Sequence, residues 1–298
     1  MAPDLSGVLV PAATPFTGPE GRVDPGAFGE NVERWLAARV AGVVVGGSTG
    51  EAVLLDEEER LALWDRAREV VPRDRLVVAG TGLESTRATI RLSRAAGERG
   101  ADAVLVQPPA FYKSQMTPEV VRDHYLAVAD ASPVPVIVYQ VPLRFSTLDL
   151  PSGLVGELSE HENIVGMKDS RPRLEGMAEV IRACRDDFQV LVGSGNQLYA
   201  SLEVGAVGGI LGVANLLPDE CRALVEAFRV GRSREAGRLQ ERIAPVHKTV
   251  VGEFGVPGVK AALDLLGYRA GPPRPPLRPL GSGDREEARR LLEEAGVL

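Results

Sequence analysis

The sequence predicts an α/β protein: one (β/α)8, or TIM, barrel carrying additional C-terminal helices. Three observations carry this prediction. Short, valine-rich apolar runs recur at nearly even intervals near Val8, Val43, Val77, Val104, Val136, Ile164, Val190 and Ile210, eight in all. Segments of helical periodicity lie between them, so the repeat is strand then helix, at roughly 20 to 35 residues per unit. The loop after the first run, residues 11–16, has no GxGxxG turn, which an open dinucleotide-binding sheet places there.

Taken in order, the strands read as continuous rather than alternating apolar runs, as burial on both faces beneath helices requires. The first helix starts at Asp24 and Pro25, a capping carboxylate followed by a proline that needs no N–H partner. The second starts after Asp56, with Glu57 to Glu59 in its first turn. Its apolar stripe is Leu61, Leu63, Trp64, Ala67, Val70 and Val71, with Arg60, Asp65, Arg66, Arg68 and Glu69 expected outside it. Ser85 caps the third. The eight units account for residues 1–217, the barrel core. Residues 218–298 read as a helical extension packed on that core as part of one structural unit, with helices near 221–230, 235–251, 259–266 and 284–294. Between the last two, residues 271–276 contain four prolines and read as an extended connector.

With 298 residues, 44% hydrophobic and 25% charged, the chain has ample material for one large core. A net charge of −7 supplies no general positive field, so no nucleic acid or membrane partner is expected. No apolar run reaches the ~18 residues of a membrane helix, and Met1 to Asp4 do not open an export signal, so a cytoplasmic enzyme is expected. Cys184 and Cys221 lack metal or redox spacing and read as buried thiols on helices. His124, His161 and His247 are far apart in sequence and away from strand ends. No metal site is expected from them, and no serine-hydrolase triad. The 34 basic residues include only four lysines, Lys113, Lys168, Lys248 and Lys260. Arginine is the default cation, so each lysine raises the question of amine chemistry that a guanidinium cannot perform.

In a barrel of this kind reacting groups belong at the C-terminal strand ends. Lys168 closes the sixth run and is expected at the barrel rim, where desolvation favours free amine for attack on a carbonyl. Position alone equally suits an ion pair with Asp169 or a rim glutamate. Tyr139 ends the fifth run, near enough to relay protons to an amine on the sixth, or else to serve as a core tyrosine bonded to backbone. Ser48 and Thr49 sit in a glycine-flanked turn that suits a carboxylate or phosphate, and equally an ordinary tight turn. Lys113 reads as a solvated loop charge, and Lys248 and Lys260 as helix residues.

Residues 11–16, 47–51, 111–112, 139–142, 166–169 and 205–209, in collinear order over nearly the whole chain, resemble the dihydrodipicolinate synthase and N-acetylneuraminate lyase family of class I aldolases. The resemblance implies that Lys168 forms a Schiff base with pyruvate and that Tyr139 relays protons. It implies that Ser48 and Thr49 hold the pyruvate carboxylate and extend the hydroxyl relay, and that Tyr112 is lent across a dimer interface. Gly50, Arg144, Ser170, Gly193, Ser194 and Ile210 complete the implied substrate site. No cofactor or metal is implied, since the iminium is itself the electron sink. The partners implied are a 2-oxo acid, an aldehyde, and further copies of the chain in a dimer or tetramer.

Residues 167–170, 187–194, 206–215, 254–260 and 267–277 most resemble the 4-hydroxy-2-oxoglutarate aldolase branch. Thr49, where that branch typically has asparagine, and Arg144, which matches an arginine the synthase branch uses for its second substrate, point to the synthase. Ser194 and Gly195 replace acidic residues typical of the synthase, and Glu84 stands where lysine-regulated synthases place asparagine, so no feedback by lysine is expected. Two readings of other classes remain at this stage. One is a barrel that binds phosphorylated ligands through residues 193–196 and 212–215. The other is a ligand-binding paralogue without turnover.

Overall fold

The computed structural model describes residues 2–146 and 148–298. Eight parallel strands close into a barrel: β1 (Gly7–Pro11), β2 (Gly42–Val45), β3 (Leu76–Gly80), β4 (Ala103–Val106), β5 (Val136–Gln140), β6 (Ile164–Asp169), β7 (Gln189–Val192) and β8 (Gly208–Ile210). Each pairs with its neighbour in sequence, and β1 closes the ring against both β2 and β8. All eight predicted runs are strands of this barrel. Strand alternation sorts their side chains into two cores. Leu9, Val44, Val78, Leu105, Ile137 and Leu191 fill the barrel interior. Val8, Val10, Val43, Val45, Val77 and Val104 face outward into the layer between strands and helices. With both faces buried, neither position tolerates polarity, which explains the unbroken apolar runs.

The helices that follow the strands are α1 (Pro25–Ala37), α2 (Glu57–Val70), α3 (Thr86–Glu98), α4 (Pro118–Ala131), α5 (Ser152–Ser159), α6 (Leu174–Ala183), α7 (Leu198–Glu203) and α8 (Pro218–Arg229). The capping residues read from sequence are in place. The Asp24 carboxylate accepts the Ala27 N–H, Asp56 forms a reciprocal capping box with Glu59, and the Ser85 hydroxyl accepts the Ala88 N–H. Arg60 departs from its expected position outside the α2 stripe. It is buried, because its guanidinium donates to the carbonyls of Gly80 at the end of β3 and Ala52 in the loop after β2 and so satisfies backbone at both. Of the two cysteines, Cys221 is buried in α8, while Cys184 is only half-buried at the end of α6.

The boundary between barrel and extension also moves. The helix α8 follows β8 and packs on β1, so it is the eighth barrel helix rather than the first of the extension. The extension proper is α9 (Ser233–Val246), a π-helix (His247–Glu253), α10 (Gly255–Leu265) and α11 (Ser282–Glu294). Pro245 lacks the N–H that would continue an α-helical ladder, and the chain widens into the π-helix two residues later. Pro257 falls in the first turn of α10, where no N–H is needed, so that helix begins before the expected residue 259. Residues 271–276 are non-helical, as their prolines require. No helix among the described residues is long and apolar enough to cross a membrane.

Candidate active site

The cavity at the C-terminal mouth of the barrel has a volume of about 370 Å³ and takes its walls from β5 to β8, the turn after β2, and the extension. Lys168 lies near the end of β6 and is paired in register with Tyr139 of β5. It is 5% exposed, with Nζ 4.2 Å from the centroid of the Tyr139 ring. The ion pair with Asp169 that position alone allowed does not form. Successive strand residues point to opposite faces, and Asp169, wholly buried on the other side, is held by Arg171 at 2.6 Å. Among the described residues no carboxylate pairs with Lys168.

The Tyr139 hydroxyl lies 3.3 Å from Ser48 Oγ, so a chain of two hydroxyls leads away from the lysine. Ser48 and Thr49 occupy the 3₁₀ turn Ser48–Gly50. Residues 46–50 do spell Gly-x-Ser-x-Gly, but no strained strand-to-helix elbow forms there, and Ser48 bonds to a tyrosine rather than a histidine. Gly50, expected on the substrate, is consumed by the turn itself. Its N–H donates to Gly47 O at 3.0 Å and its carbonyl accepts the Thr14 hydroxyl at 2.7 Å.

Behind this turn Glu51 adopts the left-handed conformation, φ 59°, uncommon for a residue with a side chain. It is anchored by a buried ion pair, with Oε1 2.6 Å from Lys260 Nζ, while Oε2 accepts the Arg274 N–H at 2.8 Å. Lys260 also donates to Pro272 O. Burial draws its ammonium down to about 8 against the opposing pull of Glu51. The reading of Lys260 as an ordinary helix residue is therefore corrected. It is on α10, yet it ties the extension to the turn bearing Ser48 and Thr49. Its signal was present in the sequence, as a lysine set among Val259, Ala261 and Ala262 in a chain that otherwise prefers arginine.

On the opposite wall stand Ser170, Gly193, Ser194 and Ile210. Gly193 leaves room for Ser170, since a Cβ there would stand 2.8 Å from the Ser170 Cβ and 3.1 Å from its Cα. Arg144 sits exposed at the rim, its guanidinium donating to the Val251 and Gly252 carbonyls of the π-helix. His247 also lines the cavity, against the expectation that the histidines lie away from it. The helix that carries it is remote from any strand end in sequence, but folds back over the mouth. Burial, reinforced by Arg144, pushes its imidazole down to about 4. Tyr112 is not brought to this cavity within its own chain. It is 70% exposed beside Phe111, on a loop whose N–H groups at Ala110 and Phe111 are held by Glu84.

Phosphate binding by residues 193–196 and 212–215 finds no support. The N–H groups of Gly193, Gly195 and Ala214 are donated to Asp169 O, His247 Nδ1 and Leu211 O, and the Asn215 amide is spent on Pro11 O and Gly212 O. The lining contains Lys168 and Arg144 but, among the described residues, no aspartate or glutamate.

A closed barrel whose mouth presents a buried lysine, without a carboxylate partner among the described residues, beside a tyrosine–serine pair has the site of a barrel enzyme. Sequence comparison narrows the class: the model of the dihydrodipicolinate synthetase family matches residues 4–295. The chain is 34% identical over 294 residues to a 4-hydroxy-tetrahydrodipicolinate synthase of Syntrophus aciditrophicus, covering 99% of each. It is 36% identical over 296 residues to a probable mitochondrial 4-hydroxy-2-oxoglutarate aldolase of Emericella nidulans, covering 98% of this chain and 94% of the relative. Among solved structures it is similar to YagE, a prophage protein of the dihydrodipicolinic acid synthase family from E. coli K12 in complex with pyruvate, with TM-score 0.93, 27% identity and 99% of each chain covered. The chain belongs to the dihydrodipicolinate synthetase family and is a carbon–carbon lyase.

Proposed function

We propose that this protein is a pyruvate-dependent class I aldolase in which Lys168 forms the Schiff base, and that its substrate in the cleavage direction is a dianionic 4-hydroxy-2-oxo acid such as 4-hydroxy-2-oxoglutarate. The Lys168 amine, as its free base, adds to C2 of the 2-oxo acid, whose carboxylate rests on Ser48 and Thr49. Tyr139 and Ser48 carry protons as the carbinolamine loses water to give the iminium. Loss of the C4 hydroxyl proton breaks the C3–C4 bond, releases glyoxylate and leaves the bonding pair on the enamine of pyruvate. Protonation at C3 and hydrolysis then return pyruvate and the amine. The reaction needs no further cofactor.

The observation that supports the catalytic part is a buried lysine with no carboxylate partner among the described residues, 4.2 Å from the ring of a tyrosine that continues into Ser48. The substrate charge is supported by a lining that carries the Arg144 guanidinium and, among the described residues, no aspartate or glutamate, a field favouring acid groups and disfavouring an ammonium. A second reading is condensation of pyruvate with aspartate semialdehyde. Arg144 at the rim and the similarity to the Syntrophus synthase favour it. The exposed Phe111 and Tyr112 support assembly with a second copy, in which Tyr112 reaches a neighbouring site. Borohydride reduction in the presence of pyruvate, followed by peptide mass analysis, is expected to place the adduct on Lys168 and to leave Lys168→Arg unlabelled. Label on another peptide sinks the mechanism. Turnover of 4-hydroxy-2-oxoglutarate against pyruvate with aspartate semialdehyde then separates the two readings.

A further inference from the structure

The aldol chemistry leaves one buried titratable group of the cavity without a task. His247 opens the π-helix, is 8% exposed, and faces the turn after β7 through both ring nitrogens. Nδ1 accepts the Gly195 N–H at 3.2 Å, and Nε2 lies 3.2 Å from Ser194 Oγ. A ring nitrogen that accepts from a backbone N–H carries no proton, so the neutral imidazole has its proton on Nε2 and donates it to Ser194. A hydroxyl that accepts on one side has one proton left to give. Among the described residues Ser194 Oγ has no other partner, and the residue lines the cavity. Its proton is therefore available to an acceptor atom of a ligand.

The surroundings preserve this polarity. Burial, with Arg144 adding to it, keeps the ring neutral until about pH 4, so the tautomer holds across the neutral range. Gly195 leaves the ring its place, since a Cβ there would stand 3.0 Å from Nδ1 and 2.6 Å from Val213 Cγ1. The same π-helix holds Arg144 through the Val251 and Gly252 carbonyls, so one segment sets both a cation and a neutral donor on the cavity wall.

We infer that His247 is a positioning residue that fixes the Ser194 hydroxyl as a hydrogen-bond donor to the carboxylate of the acceptor aldehyde, and that the pair, with Arg144, selects carboxylate-bearing acceptors. The inference rests on the Schiff-base reading above and adds what decides the second substrate. A donor to an anionic oxygen is worth roughly tenfold or more in binding.

The test is steady-state condensation of pyruvate with glyoxylate and, separately, with acetaldehyde, which lacks the carboxylate. The unaltered enzyme is expected to prefer glyoxylate. Ser194→Ala and His247→Phe are each expected to raise KM for glyoxylate ~10-fold, to erode the preference over acetaldehyde by a similar factor, and to raise KM for pyruvate by much less than KM for glyoxylate. The double variant is expected to be no worse than either single one. His247→Gln, which keeps an N–H donor, is expected to recover part of the loss, and together with Ser194→Ala it decides the matter should His247→Phe not fold. An unchanged glyoxylate KM in Ser194→Ala, an equal rise for pyruvate, or no preference over acetaldehyde in the unaltered enzyme overturns the inference. Borohydride trapping with pyruvate alone, without acceptor, is read separately. Its failure at Lys168 removes the catalytic reading and this inference with it.

Discussion

Lys168 and Tyr139 could be found from sequence because a strand end is visible in sequence. A valine-rich run that stops at a polar residue marks both the position and the side of the barrel on which that residue sits. What leaves Lys168 without a carboxylate partner among the described residues was not visible there. Asp169, its neighbour, belongs to Arg171 on the opposite face of β6, and only the folded register shows that. Tyr139→Phe is expected to retain pyruvate binding and to lower kcat by about 10² to 10⁴, the usual range for lost proton relay, in a stopped assay of 4-hydroxy-2-oxoglutarate cleavage. An unchanged kcat would assign Tyr139 to packing alone. Lys260→Met leaves the Glu51 carboxylate buried without its cation, and is expected to cost about 3 to 5 kcal/mol in urea unfolding. Lys260 escaped sequence reading because its partner is 209 residues away in the chain, and His247 for the same reason, since it bonds to the turn at Ser194 and Gly195; Arg60 escaped it because its partners are backbone carbonyls, which no residue type announces.

At the scale of elements, local chemistry was reliable at helix starts and less so where helices change character. Asp56 and Glu59 form the capping box their spacing announces, and Asp56→Ala is expected to cost about 1 kcal/mol, seen as a lower urea midpoint with unchanged slope. A changed slope would mean that the substitution acts beyond the cap. The extension was harder to delimit. A proline at 245 signals a break in a helix, but the chain continues helical in another hydrogen-bonding pattern, and the next proline, at 257, begins a helix instead of ending one. The reassignment of α8 to the barrel has a topological cause. Eight strands require eight covering helices, and α8 packs on β1, the strand β8 must reach to close the ring.

For the molecule as a whole, two buried histidines set an acid limit on stability. Burial holds His124 at about 4, as it does His247. Above pH 6.5 both rings are neutral folded or unfolded and contribute no pH dependence. As the pH falls below that value the unfolded chain binds protons that the folded chain refuses, so stability drops, by about 2 kcal/mol for each ring at pH 5 and about 3 near pH 4. Urea unfolding at pH 7.5 and pH 5 is expected to show the midpoint falling. A midpoint that stays constant or rises would show that the rings are accessible to protons in the folded state. The barrel and the extension also divide the enzyme's labour. The strands place Lys168 and Tyr139 at the mouth, while the segment from His247 to Val259 lies over it, with Val250 and Val259 packed into the core. With Lys168 as the proposed Schiff-base residue, substitutions at the cavity-lining positions of that segment, such as Val251, Val256 and Val259, are expected to alter which aldehyde is taken while leaving the bonding amine in place.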